Sequence, residues 1–307
     1  MTMPSVELVF DITLSLLLLI LAGIALHVRH LYTGVVMFIA FGLLLAITWA
    51  RLGAPDLALA EAAIGAGLTG VLLLAALARI GPESTPRPAP GHELTAGLLG
   101  ALVLILLIRA VLPLEHGPQF LPGLVETHLD ASGVSHPVTA VLLNFRAWDT
   151  LLELVVLLLA VLGVRQLRPA GYKQAQAWTL LRAWSRILAP LSVIIGGYLL
   201  WRGSHAPGGA FQAGALLAAG VVLLRLAGLL PLLRWDHWPV RALVLMGVAV
   251  FLCLAAASTW FGSGWLTYPA QWSGKLILLV EVAATLSIAA SLSLLVIGER
   301  EELGNEH

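Results

Sequence analysis

Residues 53–67 read GAPDLALAEAAIGAG and open an apolar run that continues to residue 79. A helix of about 20 apolar residues crosses a bilayer, so this run predicts a membrane span. Asp56 follows Pro55 in the first helical turn, where a carboxylate complements the positive helix end and is interpreted as a cap. Glu61 lies roughly 7–8 Å deeper along the axis. Its Ala and Gly neighbours let another helix approach closely, which predicts that Glu61 faces protein and not lipid.

The composition of the whole chain agrees with a membrane location. The 307 residues are 59% hydrophobic and 11% charged, with a mean hydropathy of +0.94, whereas soluble domains carry about 25% charged residues. The formal net charge is zero, which predicts no nucleic-acid partner. A single cysteine, Cys253, supplies no disulfide, iron–sulfur or zinc site, and no cofactor is predicted.

The first residues carry Glu7 and Asp11 instead of the basic segment of a signal peptide, so the first apolar run is expected to stay as a span.

The apolar runs predict an all-α polytopic membrane protein with about nine transmembrane helices, because lipid leaves the backbone of each span to satisfy its own hydrogen bonds. The predicted spans lie near residues 5–26, 33–51, 56–79, 94–112, 138–164, 187–202, 208–230, 241–260 and 275–297.

The distribution of basic residues predicts that the N-terminus lies outside and the C-terminus inside. This orientation leaves outside only five of the 17 Lys and Arg residues, namely Arg51, Arg109, Arg146, Arg202 and Lys275. The loop 113–137 supports it, because that loop has acidic residues and neither Lys nor Arg. The uncharged loop 261–274, with its Trp and Tyr residues, is typical of an outer interface.

Two connecting stretches are interpreted as boundaries between modules. Residues 81–91 are rich in proline and favour an exposed linker. Residues 165–186 are basic and polar, with Trp178 and Trp184 at helical spacing. They are interpreted as a short helix on the inner membrane surface, and a plain basic loop is the alternative.

A second stretch with chemistry is NFRAWDTLLE, residues 144–153. Arg146, Asp149 and Glu153 share one helix face by their spacing. Two carboxylates this close cannot both ionise easily in a low dielectric, so one should hold a proton near neutral pH. Arg146 is predicted to pair with Asp149 and to orient the helix, which leaves Glu153 as the deeper acid. The two carboxylates together form a site able to hold a proton or Na⁺.

A third stretch is rich in glycine and is predicted to interrupt the helices. Residues 196–214 read GGYLLWRGSHAPGGAFQAG, which ends one span and restarts the next after Pro207. Free backbone groups there could line a wet cavity with His205 and Gln212, although a loop histidine is often only solvated. Ser204 beside His205 raises the alternative of an intramembrane hydrolase, but neighbouring residues rarely form a nucleophile–base pair.

Glu281 is a further candidate inside the ninth span. It does not share a helix face with Lys275, so that lysine is a doubtful partner. Together with Asp56, Glu61, Asp149 and Glu153 it makes five carboxylates within apolar segments. Ionised carboxylates in hydrocarbon cost several kcal/mol, which favours a role in moving protons or cations over a purely structural one.

The three stretches together resemble one family of membrane complexes. GAPDLALAEAAIGAG resembles the D-type component of membrane-bound hydrogenases and a domain of the large A-type component of Mrp antiporters. HPVTAVLLNFRAWDTLLELVVLLLAVLGV, residues 136–164, is similar to the E-type module that follows. GGYLLWRGSHAPGGAFQAG resembles the MrpB (MnhB) component of the Mrp (Mnh) Na⁺/H⁺ antiporter. The resemblance implies three modules, at residues 1–80 (three helices), 92–168 (two helices) and 180–307 (four helices).

The resemblance has local departures. The usual MrpB motif has glycines where this chain has Ala210 and Ala213, and the usual E-type motif has glycine at Leu152. The spacing of Asp149 and Glu153 is kept.

The resemblance implies an ion-translocating accessory subunit of an Mrp-type cation/proton antiporter, or of an Mrp-like module related to the membrane arm of complex I. It implies other antiporter subunits and lipid as partners, H⁺ and Na⁺ as the candidate ions, and a prokaryotic cell membrane as the location. A structural component that serves assembly, with acids that carry no ion, is the alternative. No span interior carries the buried lysine of the family's pumping subunits, which argues against a pump acting alone.

The carboxylates also predict a path. Glu61 and Glu153 are expected to be staggered stations between the outer and inner leaflets, with Asp11 at the outer mouth. Spans three and five should then line a common polar interior that both acids face.

Overall fold

The computed structural model describes residues 5–80, 90–112, 120–167, 178–231, 233–261 and 264–297. The regular elements in these ranges are helical. Their bounds are α1 (Val6–His27), α2 (Leu31–Arg51), α3 (Pro55–Ala60), a first π-helical segment (Glu61–Leu68), α4 (Thr69–Ile80), α5 (Pro90–Val111), α6 (Phe120–Ser132), α7 (Pro137–Ala140), a second π-helical segment (Val141–Phe145), α8 (Ala147–Gln166), α9 (Thr179–Arg202), α10 (Ala210–Leu226), α11 (Trp238–Trp260) and α12 (Ser273–Ile297).

The predicted all-α polytopic architecture is confirmed. Eight helical stretches among the described residues are long and apolar enough to cross a membrane, with α3, the first π-helical segment and α4 forming one of them. The apolar helix α10, with 17 residues, is a shorter ninth. The side on which each terminus lies stays a prediction.

The centre of the molecule is built on α10 and α12. α12 is the most buried span, and α10 packs between it and α9. Small residues make the close approach of α10 to α12 geometrically feasible: a Cβ added at Gly214 would lie 2.7 Å from the side chain of Ile288. Ala213 and Ala218 are completely buried in the same helix. This is the packing by small residues that membrane helices use, because burial of apolar side chains gains little within lipid.

The N-terminal helices form a second group. α1 pairs with α2, and α2 packs against the first π-helical segment, where Ala66 lies against Gly42. The small-residue face around Glu61 therefore does contact another helix, as expected. α10 touches this group through α3 and the π-helical segment. In contrast, every α5 residue whose burial is described is exposed.

The structure corrects three details of the sequence analysis. The sixth span begins at Thr179 and contains Trp184, so residues 179–186 do not form a separate surface helix. Ser185 there is buried, with its hydroxyl donated to the Leu181 carbonyl, which ties this turn into the span. Residues 168–177 and the proline-rich residues 81–89 lie outside the described ranges.

The fifth span is also more broken than predicted. Arg146 has φ −130° and ψ 37°, which ends the second π-helical segment and starts α8 anew. The loop predicted at 113–137 contains α6.

Candidate functional site

A cavity of about 390 Å³ lies where the three polar stretches meet. Its size is within the range of ligand pockets in proteins. Three carboxylates from distant parts of the chain line it, one each from α3, α8 and α12. The polar lining consists of Asp56, Thr139, Thr150, Glu153, Gln212 and Glu281, with the backbone of Gly208 and Gly209.

Asp56 connects the three stretches. Its Oδ2 lies 2.9 Å from Nε2 of His136, and its Oδ1 accepts a hydrogen bond from the Gly208 amide at 3.2 Å. Its backbone carbonyl accepts from the Gln212 side chain at 3.4 Å. The interpretation of Asp56 as a helix cap is therefore incomplete, because its carboxylate also joins α3 to His136 and to the Gly208 amide.

His136 was missed by the sequence analysis. It precedes Pro137 at the start of α7, and Pro at a first helical position is a known start signal. The His136 side chain makes no capping hydrogen bond to its own helix, which leaves it available to Asp56. Beside it, Thr139 donates its hydroxyl to the Gly203 carbonyl at 2.5 Å.

Glu281 is the most buried of the five carboxylates, with 1% of its surface exposed. Its Oε2 has no hydrogen-bond partner within the described part of the chain. Its Oε1 lies beside the glycines between α9 and α10: a Cβ added at Gly203 would be 3.0 Å from it, and one at Gly209 would be 3.4 Å from it. The glycine break therefore brings bare backbone against a buried carboxylate.

Glu153 lines the same cavity, but it lies at the edge and its side chain is exposed. The predicted pair of Arg146 and Asp149 is present, with Nη2 and Oδ2 2.6 Å apart. That pair lies on the surface, outside the cavity lining. Thr150, one helical position beyond Asp149, donates its hydroxyl to the Leu142 carbonyl and bridges the break at Arg146.

Three other candidates lie outside the cavity lining. Glu61 is half-buried at the start of the first π-helical segment, and its carboxylate folds against Gly65 of the same segment. His205 is exposed and its ring is 5.8 Å from that of Trp201. Asp11 forms an ion pair with Arg51 at 2.9 Å, and its position at the outer mouth of a path stays a prediction.

Spans three and five do line a common cavity, but the acids that share it are Asp56 and Glu153, joined by Glu281. No cluster of three or more His, Cys, Asp or Glu side chains suited to a metal ion occurs in the described ranges. The arrangement can hold water, a proton or a weakly bound cation among oxygen atoms.

Two family models match the chain. The MbhD family, which describes the D-type component of MBH, matches residues 16–82, and the "Domain related to MnhB subunit of Na+/H+ antiporter" matches residues 180–299. The chain belongs to the Mrp/MBH family of membrane-complex subunits. The cavity of this Mrp/MBH-type chain draws residues from both matched regions and from the unmatched segment between them.

Curated relatives agree with this membership. A probable K(+)/H(+) antiporter protein of Rhizobium meliloti, of the combined A/B type, is 25% identical over 80% of this chain and 28% of its own length. An uncharacterized protein of Methanocaldococcus jannaschii is 30% identical over 58% of this chain and 79% of its own length. A "Putative antiporter subunit mnhA2" of Staphylococcus epidermidis is 27% identical over 50% of this chain and 19% of its own length. The chain therefore spans less than a third of the two antiporter proteins.

Solved structures share the fold. A chain of the Mrp complex from Dietzia sp. DQ12-45-1b superposes with a TM-score of 0.75 and 23% identity, over 94% of this chain and 35% of that one. A chain of the membrane-bound sulfane sulfur reductase, described as an archaeal respiratory membrane complex, superposes with a TM-score of 0.53 and 23% identity. That match covers 66% of this chain and 97% of the other. The apolar spans and this family make the chain a multi-pass protein of a prokaryotic membrane.

Proposed function

We propose that this chain is an ion-translocating accessory subunit of a multi-subunit Mrp-type cation/proton antiporter, or of an Mrp-like module related to the complex I membrane arm. In this proposal it relays H⁺ or Na⁺ through buried carboxylates and is part of a transporter, not an enzyme. The names of the Rhizobium and Staphylococcus relatives support an antiporter context. Because the chain spans only part of those proteins, other antiporter subunits are the proposed partners.

The observation that carries the proposal is the shared cavity. Asp56, Glu153 and Glu281 come from three distant helices and line one space of about 390 Å³. A buried carboxylate without a partner costs several kcal/mol within a membrane, and such groups commonly mark ion or proton pathways. Oε2 of Glu281 is in that situation among the described residues.

Each acid has a different proposed part. Glu153 is exposed at the edge of the cavity, where it exchanges ions with the surface or with a neighbouring protein of the complex. Glu281 is the deep acceptor. The Thr139 and Thr150 hydroxyls donate to backbone carbonyls, which leaves their lone pairs free to accept hydrogen bonds from water in the cavity. A proton then passes between Glu153 and Glu281 through water.

The remaining predicted residues have proposed roles around this route. The Arg146–Asp149 pair orients the start of α8 so that Glu153 faces the cavity, and Na⁺ at Asp149 and Glu153 would require that pair to open. Glu61 is a proposed station on the α2 side of the route, and His205 a proposed surface contact near its outer end.

A structural role in assembly, without an ion path, is the second candidate. The contacts of Asp56 favour it, because this carboxylate already serves His136 and Gly208 and thereby joins separate helices. The two functions differ at Glu281, whose carboxylate contributes no hydrogen bond through Oε2 to the described structure.

The test is the exchange activity of Glu281→Gln in the complete complex. Membrane vesicles that contain the complex are given a pH gradient, and its collapse on addition of Na⁺ or K⁺ is followed by a fluorescent dye. Glu126→Gln is the matched control, because Glu126 is exposed on α6 and lies outside the cavity lining. Relay through Glu281 predicts loss of most exchange in Glu281→Gln and full exchange in the control.

The amount of assembled complex separates the two functions. Loss of exchange with normal recovery of all subunits supports the relay. Normal exchange in Glu281→Gln overturns the relay and leaves the assembly function. The same assay on Glu153→Gln then tests the cavity edge, where transport through the cavity again predicts loss without disassembly.

A further inference from the structure

A second groove, which shares no lining residue with the carboxylate cavity, has a volume of about 570 Å³. Its floor is made of small residues from three helices, Ala189, Gly220, Ala289 and Ala290. Its walls are aliphatic and include Val193, which is 60% exposed. An apolar groove lined by small and aliphatic residues suits a hydrocarbon chain.

One end of the groove reaches a basic cluster. Arg186 lines the groove and forms no ion pair with another described residue. Leu230 and Leu233 line the same end and belong to the connection between α10 and α11. Several arginines converge on this connection, so an anion that enters the groove at Arg186 meets a strongly positive surface.

The contacts of these arginines define the cluster. Arg182 donates to the Ala227 carbonyl and Arg225 to the Leu230 carbonyl. Arg165 covers the ring of Trp235, with 4.7 Å from its guanidinium carbon to the ring centre. Arg241 donates to the Trp235 carbonyl at 2.7 Å. Asp236 is the single acidic residue between residues 178 and 261, and Arg234 and Arg241 already flank it at 3.7 and 3.9 Å.

Pro190 adds an acceptor at this end. It lies within α9 and lines the groove with Arg186. Proline has no N–H, so the carbonyl four residues earlier, that of Arg186, lacks its usual α-helical donor. A headgroup hydroxyl can fill that role while the guanidinium binds the phosphate.

We propose that this groove binds an anionic phospholipid, with one acyl chain along the small-residue floor and the phosphate at Arg186. Basic pockets between membrane helices bind acidic headgroups in this way. The guanidinium of Arg186 at one end of the groove, unpaired among the described residues, favours a ligand that carries an anionic group over a purely apolar partner helix. This lipid site is separate from the carboxylate cavity and does not depend on the proposed ion relay.

The test measures lipid retention by native mass spectrometry. The chain is purified with its accompanying subunits in mild detergent and titrated with dioleoyl phosphatidylglycerol or dioleoyl phosphatidylcholine. The proposal predicts retention of phosphatidylglycerol over phosphatidylcholine. Arg186→Gln should weaken phosphatidylglycerol binding about fivefold, the usual effect of one arginine near an anionic headgroup. Arg202→Gln, at the other end of α9, is the charge control and should bind as the wild type does.

A second pair of variants tests the acyl chain. Val193→Trp fills the groove from an exposed position, whereas Ile194→Trp places the same bulk on a neighbouring residue outside the lining. Val193→Trp should lose retained phosphatidylglycerol and Ile194→Trp should keep it. Equal retention of both lipids, or wild-type retention in Arg186→Gln, overturns the proposal. The proposal is also overturned if Val193→Trp loses a partner protein while its lipid retention is unchanged, because the groove then binds a protein and not a lipid.

Discussion

Tyr268 shows what burial does to a single residue in the connection between α11 and α12. Its phenol is 8% exposed, its hydroxyl has no partner in the described part of the chain, and burial raises its pKa to about 12. An unfolded tyrosine has a pKa of about 10. Between about pH 10 and pH 12, the folded state therefore keeps the phenol proton, whereas the unfolded state has lost it. Its contribution to stability is present below about pH 10 and is lost as the pH rises towards 12.

Tyr268→Phe is expected to remove this pH dependence. The unfolding temperature of the purified protein, followed by tryptophan fluorescence, should be equal to or above that of the wild type near pH 8, because an unpaired buried hydroxyl is removed. The difference in favour of the variant should grow between pH 10 and 11. Tyr198→Phe, at an exposed position on α9, is the control. A constant difference across this pH range would contradict the account.

Residue by residue, the sequence was a partial guide to the site. It identified the carboxylates that line the cavity because they interrupt apolar runs, and the Arg146–Asp149 pair because that pair depends on local spacing. It gave little weight to Glu281, since the search for a partner stayed on the same helix, at Lys275. The groups that surround Glu281 come from the glycine connection between α9 and α10, which is distant in sequence. His136 was missed for the same reason, because its partner Asp56 lies on another helix.

At the scale of elements, glycines decide how closely the helices approach. Gly203 ends α9, and a Cβ added there would lie 2.7 Å from the Cα of Gly209 and 3.0 Å from Oε1 of Glu281. Gly203→Ala should therefore destabilise the protein by about 1–3 kcal/mol, as overpacking does. Gly163→Ala is the matched control, because a Cβ on that α8 residue meets no atom within 4 Å. The control should be neutral or stabilise the protein by up to about 1 kcal/mol. Unfolding temperatures measured side by side distinguish the two, and equal values would refute the packing argument.

Element boundaries were predictable where the pattern is strong and not where the backbone is irregular. Long apolar runs predicted each span, including the shorter α10. The π-helical segments at Glu61–Leu68 and Val141–Phe145 have no signature in the periodicity, since both lie within continuous apolar runs. The break at Arg146 depends on contacts with other elements, such as the Asn144 amide, which donates to the Ser132 carbonyl and to the Ser273 hydroxyl. Tertiary hydrogen bonds of this kind override local helix propensity.

At the scale of the whole molecule, the cavity is also a junction. The group formed by α1 to α4 touches the rest of the chain mainly at α10, α12 and the Asp56 contacts. A small contact area makes each charged hydrogen bond a larger share of the attachment, and a bond to a charged group contributes about 1.5–3 kcal/mol. Asp56 is therefore expected to hold the N-terminal helices in place beside the cavity.

Cleavage between these two groups tests that expectation. A protease site is inserted within the proline-rich residues 81–89 and is cut after purification. The cut breaks the covalent link between α1–α4 and the remaining helices, so that only non-covalent contacts hold the two fragments together. The two fragments of the otherwise unchanged protein should stay together in mild detergent, and Asp56→Ala should release the N-terminal fragment. Asp11→Ala is the control, because Asp11 pairs with Arg51 inside the N-terminal group and should not affect retention. Equal release from both variants would show that general loosening, and not the junction at His136 and Gly208, separates the fragments. Retention in both would mean that helix packing against α10 alone is sufficient.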